Sequence, residues 1–101
     1  MNAPRLIVVH CLFPSLDEAI HVSSVILSDG LCQSFTALPA GRTYFMTKGR
    51  MANAQESLCL LLTSEASYPA LEQRLRDVHS YDEPTIFAIP AERATAATLA
   101  G

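Results

Sequence analysis

Residues 79–90 read HSYDEPTIFAIP and form the last part of the order of helices and strands from which the fold is predicted. They follow a stripe of apolar residues that ends at Val78 and is typical of an amphipathic helix. Pro84 then turns the chain into the short apolar run of residues 85–89, which predicts a last strand. A helix followed by a strand therefore ends a compact α+β domain, and the chain upstream shows a matching arrangement.

The first strand and the first helix are predicted from the opening third of the chain. Residues 6–13 form a near-continuous apolar run that Pro14 ends, as expected for a strand that is apolar on both faces. Ser15 and Glu18 have the spacing of a capping box, so Ser15 is predicted as the N-cap of a helix. The pair at 29–30, Asp-Gly, ends that helix.

The middle of the chain predicts two more strands joined by a hairpin. The second strand covers residues 32–38, and the Pro-Ala-Gly at 39–41 predicts a turn or bulge. Extended character resumes at 43–47, and Lys-Gly-Arg at 48–50 reverses the chain. The third main strand is predicted at residues 54–63.

A second helix completes the pattern. It begins near Ser64 or Ser67, since Pro69 is tolerated only in the first turn of a helix, and residues 94–99 suggest a frayed helical tail. The order β-α-β-β-α-β predicts an α+β, ferredoxin-like fold with an antiparallel sheet and helices on one face. At 101 residues, the chain 1–101 is expected to form a single domain.

The composition predicts an oligomer. Half of the residues are hydrophobic and 17% are charged, and the two strands expected at the centre of the sheet are apolar on both sides. The helices cover one face only, so the other face needs a cover, and another copy of the chain is the simplest.

Charge and cysteine content exclude several classes of function. A net charge of −3 with scattered Lys and Arg argues against nucleic-acid and membrane partners. Three cysteines without a CxxC pair fit neither a disulfide framework nor a Cys-rich zinc site. The first apolar run is too short to span a membrane, and we expect a cytoplasmic location.

A set of residues spread over the chain carries a family resemblance, most specifically His79-x-Tyr81-x-x-Pro84-x-Ile86. The other matching residues are Pro14, Ala19, Leu31, Pro39, Thr43, Phe45, Gly49, Glu56 and Thr63. On these residues the chain resembles the CutA family, small proteins associated with divalent-cation tolerance. The resemblance implies a PII-like homotrimer that binds metal or signals and is not an enzyme.

Several polar positions of the family pattern are replaced in this chain. They are Ser34 in place of a cysteine, Thr47 in place of a tryptophan, Leu62 in place of a lysine and Thr85 in place of a glutamate. The chain therefore resembles a divergent member whose fold is retained and whose site is in question.

The resemblance implies Cys11 and His79 as metal ligands, with copper or another divalent cation as the ion. A second family histidine falls on Val78. A thiolate and an imidazole suit copper or zinc, yet two ligands are too few for a tight site. The alternative, which we favour, makes Cys11 a small buried hydrophobe and His79 a helix-end residue. His10 and His21 are expected to be merely tolerated positions.

Other chemistry has weaker support. Asp82 and Glu83 precede Pro84 and are expected to be solvated rather than to act as acid and base. The chain contains no nucleophile or phosphate-loop motif, so catalysis is not expected.

Two further hypotheses stay open beside a cation-tolerance trimer. One is a PII-like sensor that holds a small anion in a cleft between subunits. Its cleft would be lined by Arg42, Tyr44, Lys48 and Arg50. The other hypothesis is a structural trimer whose site has decayed.

Overall fold

A computed structural model describes residues 5–101 and has the predicted order of elements. A short 3-10 turn, Glu65–Ser67, lies between the third strand and the second helix. The strands are β1 Leu6–Phe13, β2 Ser34–Thr47, β3 Arg50–Ser64 and β4 Ile86–Pro90, and the helices are α1 Leu16–Ser28, α2 Tyr68–Val78 and α3 Ala96–Ala100.

The four strands form one antiparallel sheet in the order β2-β3-β1-β4. The predicted ferredoxin-like fold is therefore confirmed, with β1 and β3 at the centre. Both long helices pack on the same face, where alternate residues of the central strands are fully buried. This covered face holds the core, which includes Val9, Cys11, Phe13, Ala19, Ile26, Cys59, Leu61, Leu71 and Leu75.

The ends of the helices follow the predicted signals, with one difference. The Ser15 hydroxyl accepts a hydrogen bond from the Glu18 backbone N–H at 3.1 Å, and Gly30 takes the positive φ of 74° that ends α1. The reciprocal half of a capping box is not made, because the Glu18 carboxylate bonds to Ser80 instead. Ser64 caps the 3-10 turn, and Ser67 directly precedes α2.

The hairpin is longer than the sequence predicted. The second strand begins at residue 34 instead of 32 and continues past the proline to residue 47, with a bulge between Leu38 and Gly41. The third strand begins at residue 50 rather than 54, because pairing extends to Thr47 and Arg50. Between them Lys48 and Gly49 both have positive φ, as a tight hairpin turn requires.

The sheet face away from the helices, here called the open face, is mostly apolar. The registers of β1, β3 and β4 place its side chains in rows across the sheet. Those of the central strands are Val8, His10 and Leu12 of β1 and Leu58, Leu60 and Leu62 of β3, flanked by Ser34, Thr36, Leu38, Phe87 and Ile89. Within residues 5–101 no third layer covers this face, and no helix there is long and apolar enough to cross a membrane.

Candidate functional site at the end of the second helix

His79 ends α2 and is anchored by both of its ring nitrogens. Its Nε2 lies 2.7 Å from the Leu12 carbonyl oxygen, and its Nδ1 accepts a hydrogen bond from the Tyr81 backbone N–H at 3.0 Å. This pattern assigns the ring hydrogen to Nε2, which donates to Leu12. The ring also stacks on Phe13 with centroids 4.5 Å apart. His79 thus ties the end of α2 to β1, rather than binding terminal helix carbonyls as the helix-end interpretation supposed.

Two carboxylates fix the turn that follows His79. Glu18 accepts hydrogen bonds from the backbone N–H and the hydroxyl of Ser80, at 3.2 and 2.8 Å. Glu56 accepts one from the Tyr81 hydroxyl at 3.1 Å, and burial, followed by this bond, raises the pKa of Tyr81. The turn is therefore held by α1 on one side and by β3 on the other.

Cys11 lies on the covered face, directly opposite Cys59 of β3. Both residues are fully buried. Burial raises the pKa of the Cys11 thiol to about 12, with a smaller effect from Cys59. A hydroxyl from α1, that of Ser23, lies 3.2 Å from the Cys59 sulfur. Such thiols behave as small apolar core groups and not as exposed thiolates.

The two predicted metal ligands therefore do not form a ready site within one chain. The nitrogens of His79 are both engaged, and the Cys11 thiol is buried among apolar groups. Across the described residues, no three His, Cys, Asp or Glu side chains are grouped as metal ligands. A cation at Cys11 and His79 would have to displace the bond to Leu12 and stays a prediction.

The other candidate residues are dispersed. His21 lies exposed on α1, as predicted, and Asp82 and Glu83 are exposed in the turn before β4. On the hairpin, Arg42 donates to the Asn53 side chain at 2.6 Å. Ser34 and Leu62, two of the positions where the family residue is replaced, are direct cross-strand partners on the open face.

Sequence reasoning missed the roles of Glu18 and Glu56. A carboxylate three residues after a Ser N-cap predicts a capping box, and nothing local indicates that it would reach Ser80 instead. The pairing of Glu56 with Tyr81 joins positions 25 residues apart, so only the register of β3 against the rest of the fold could reveal it.

Comparison with known proteins places the chain in a family. The model of the CutA1 divalent ion tolerance protein family matches residues 7–100. The chain belongs to the CutA1 family. The divalent-cation tolerance protein CutA of Thermotoga maritima is 28% identical over 87 residues, covering 86% of this chain and 85% of that protein. CutA1 membership confirms the predicted function class, a divalent-cation tolerance protein of a non-enzymatic family.

Solved CutA structures have the same fold. The periplasmic CutA of Archaeoglobus fulgidus is 25% identical with a TM-score of 0.89, covering 94% of this chain and 92% of that one. CutA1 of Ehrlichia chaffeensis, 16% identical, superposes with a TM-score of 0.92 over 98% of this chain and 92% of that one. The ferredoxin-like fold of this CutA1 family member is thus shared over nearly the whole chain.

Proposed function

We propose that this CutA1 family member acts in divalent-cation tolerance as a homotrimer whose subunits meet through the open face and the hairpin. The observation that supports the proposal is the open face itself. Its central rows carry no charged side chain. At its edge, the side chains of Phe87 and Ile89 are 44% and 55% exposed in the single chain. Contiguous apolar surface of this kind marks an interaction site. An apolar face without charges packs best against another such face, and a second copy of the chain presents one.

The hairpin supports the same assembly. The long axis of the molecule measures 50 Å against 25 and 22 Å for the other two, and beyond the bulge the hairpin consists of two strands only. Tyr44, Met46 and Met51 are exposed on one side, and Phe45 is exposed on the other. A two-stranded hairpin is marginally stable alone in water, so we expect it to pack against neighbouring subunits.

The assembly can be tested by measuring the mass in solution with light scattering at micromolar concentration. We expect about three times the 11.0 kDa of one chain. Leu60→Arg places a charge in the centre of the open face and should yield single chains, because an unpaired charge cannot be buried there without a large cost. Ile20→Arg, on the exposed side of α1, is the matched control and should keep the wild-type mass.

A wild-type mass of one chain, or a trimer in Leu60→Arg, would contradict the proposal.

Metal binding at Cys11 and His79, with copper or another divalent cation, remains a prediction within this proposal. The thiol of Cys11 and the imidazole of His79 are donors that such ions prefer, which supports this prediction. The hydrogen bonds that His79 makes within the chain argue against it. A cytoplasmic location is supported by three unpaired cysteines.

The anion-sensor alternative is not adopted, because the Arg42 guanidinium is bonded to the Asn53 side chain and lies on the opposite face of the hairpin from Arg50.

A further inference from the structure

His10 is the polar exception in the centre of the open face. It lies in the middle row of that face, between Leu60 of β3 and Phe87 of β4. Its ring stacks on Phe87 with centroids 4.3 Å apart and an interplanar angle of 17°. The stacking holds the imidazole in one plane at the middle of an apolar surface.

The His10 ring has no hydrogen-bond partner among the residues that the structure describes. Its Nδ1 is buried within the chain and unpaired, whereas its Nε2, which makes no hydrogen bond among residues 5–101, is the nitrogen that stays accessible. A neutral imidazole has one donor and one acceptor to satisfy, and a buried polar group without a partner calls for an explanation. His79 is the contrast within the same chain, since both of its nitrogens are bonded.

Threefold symmetry would bring copies of His10 together. This step depends on the proposed trimer: if subunits meet through their open faces, each residue near the axis occurs three times at the same distance from it. His10 sits on a central strand and in the middle row of that face. It is therefore well placed among the side chains of the face to approach its two symmetry copies.

We propose that three His10 side chains, one from each subunit, bind one divalent cation of the zinc class on the trimer axis through Nε2, the ring nitrogen that is not buried within its own chain. Imidazole suits zinc, copper and nickel, and three histidines with one open position form a known type of zinc coordination. The surrounding leucines would exclude water from the ligands, and Phe87 would orient the rings as an outer-shell group does. This site is separate from Cys11 and His79, whose side chains do not lie on the open face.

The proposal predicts a stoichiometry that no site within a single chain can give. Purified protein is equilibrated with Zn²⁺, dialysed, and analysed for zinc per chain by mass spectrometry, with the mass of the same sample measured by light scattering. We expect one zinc per three chains. His10→Leu removes the imidazole but keeps the face apolar, so the trimer should persist while its zinc is lost. His21→Leu, on exposed α1, should keep both.

The outcomes separate this inference from the proposed function. A trimer that retains its zinc in His10→Leu, or that loses zinc in Cys11→Ser and His79→Ala instead, would overturn the His10 site alone. One zinc per chain would also overturn it. A wild-type mass of one chain would overturn the proposed trimer.

If His10→Leu changes the mass, His10→Gln and Co²⁺ give a second test in the wild-type trimer. Tetrahedral Co²⁺ bound by three imidazoles absorbs visible light, and we expect that absorption at one ion per three chains and not in the trimer of His10→Gln. Its persistence in His10→Gln would overturn the site.

Discussion

At the scale of single residues, the two family-like ligand positions have become parts of the core. His79 is only 8% exposed, stacks on Phe13 and bridges to the Leu12 carbonyl. Cys11 packs opposite Cys59 beneath α1. A side chain whose polar atoms are all engaged by contacts within the chain stabilises the fold but is no longer free to bind an ion. His10, whose ring makes no hydrogen bond among residues 5–101, lies on the opposite face of β1 from Cys11.

The raised pKa of Cys11 predicts an alkaline loss of stability. Burial raises the pKa of the Cys11 thiol from 9.0 to about 12, so the folded state holds its proton more tightly. Its contribution is complete below pH 9 and is lost as the pH rises towards 12, at a rate of at most roughly 1.4 kcal/mol per pH unit. Urea unfolding between pH 8 and pH 10.5 should show the decline.

Cys11→Ala should make that decline shallower, because it removes one of the groups that must ionise. Val22→Ala is the control: it also removes core volume but no titrating group, so it should lower the whole curve without changing its slope. Equal slopes for Cys11→Ala and the wild type would contradict the assignment of this pKa shift to a role in stability.

At the scale of elements, the bulge in β2 links the hairpin to the candidate site. A Cβ on Gly41 would lie 2.9 Å from the Glu56 carbonyl oxygen, so glycine lets β2 approach β3 at that residue. The Glu56 side chain in turn accepts the bond from Tyr81. Bulges bend strands and redirect side chains, and this one lies where the hairpin leaves the body of the sheet.

Gly41→Ala should therefore destabilise the protein by about 1–3 kcal/mol, since backbone has to move to admit the methyl group. The shift of the urea midpoint at a fixed protein concentration measures the change. Thr43→Ala, two residues further along β2, adds no atom and should cost less than about 1 kcal/mol. A Gly41→Ala midpoint equal to that of Thr43→Ala would show that the strands separate there without cost.

The same elements show how far sequence reasoning reaches. Both ends of α1 were predicted from local signals, because Ser15 and Gly30 act on backbone only a few residues away from them. Residues 39–41 indicated a turn or bulge but could not show that β2 continues, because that depends on pairing with β3 across the hairpin. For the site, the pattern named His79 and Tyr81, whereas their carboxylate partners Glu18 and Glu56 come from distant elements.

At the scale of the whole molecule, an uncovered apolar face and a projecting hairpin are two parts of one surface. The alternation of β3 continues from Leu60 to Ala54 and Ala52, so the open face extends onto the hairpin beside Phe45. Glu56 is the one charged residue of β3 on the way, and its carboxylate is bonded to the Tyr81 hydroxyl. A surface this extended can contact both neighbouring subunits of the proposed trimer. If folding and assembly are coupled in this way, the stability of the protein depends on its concentration.

The thermal midpoint should thus rise with protein concentration. For three chains that unfold and separate together, each tenfold dilution costs about 2.7 kcal/mol over two association steps. With an unfolding entropy of about 2.1 cal/mol/K per residue, this corresponds to roughly 4 °C. Calorimetry over a hundredfold range of concentration would resolve it. Leu60→Arg should give a lower midpoint that does not change with concentration, because a single chain unfolds without separating from anything. A wild-type midpoint that is equally constant would mean that the open face stays in water, and the cohesion of the fold would have to come from the covered face alone.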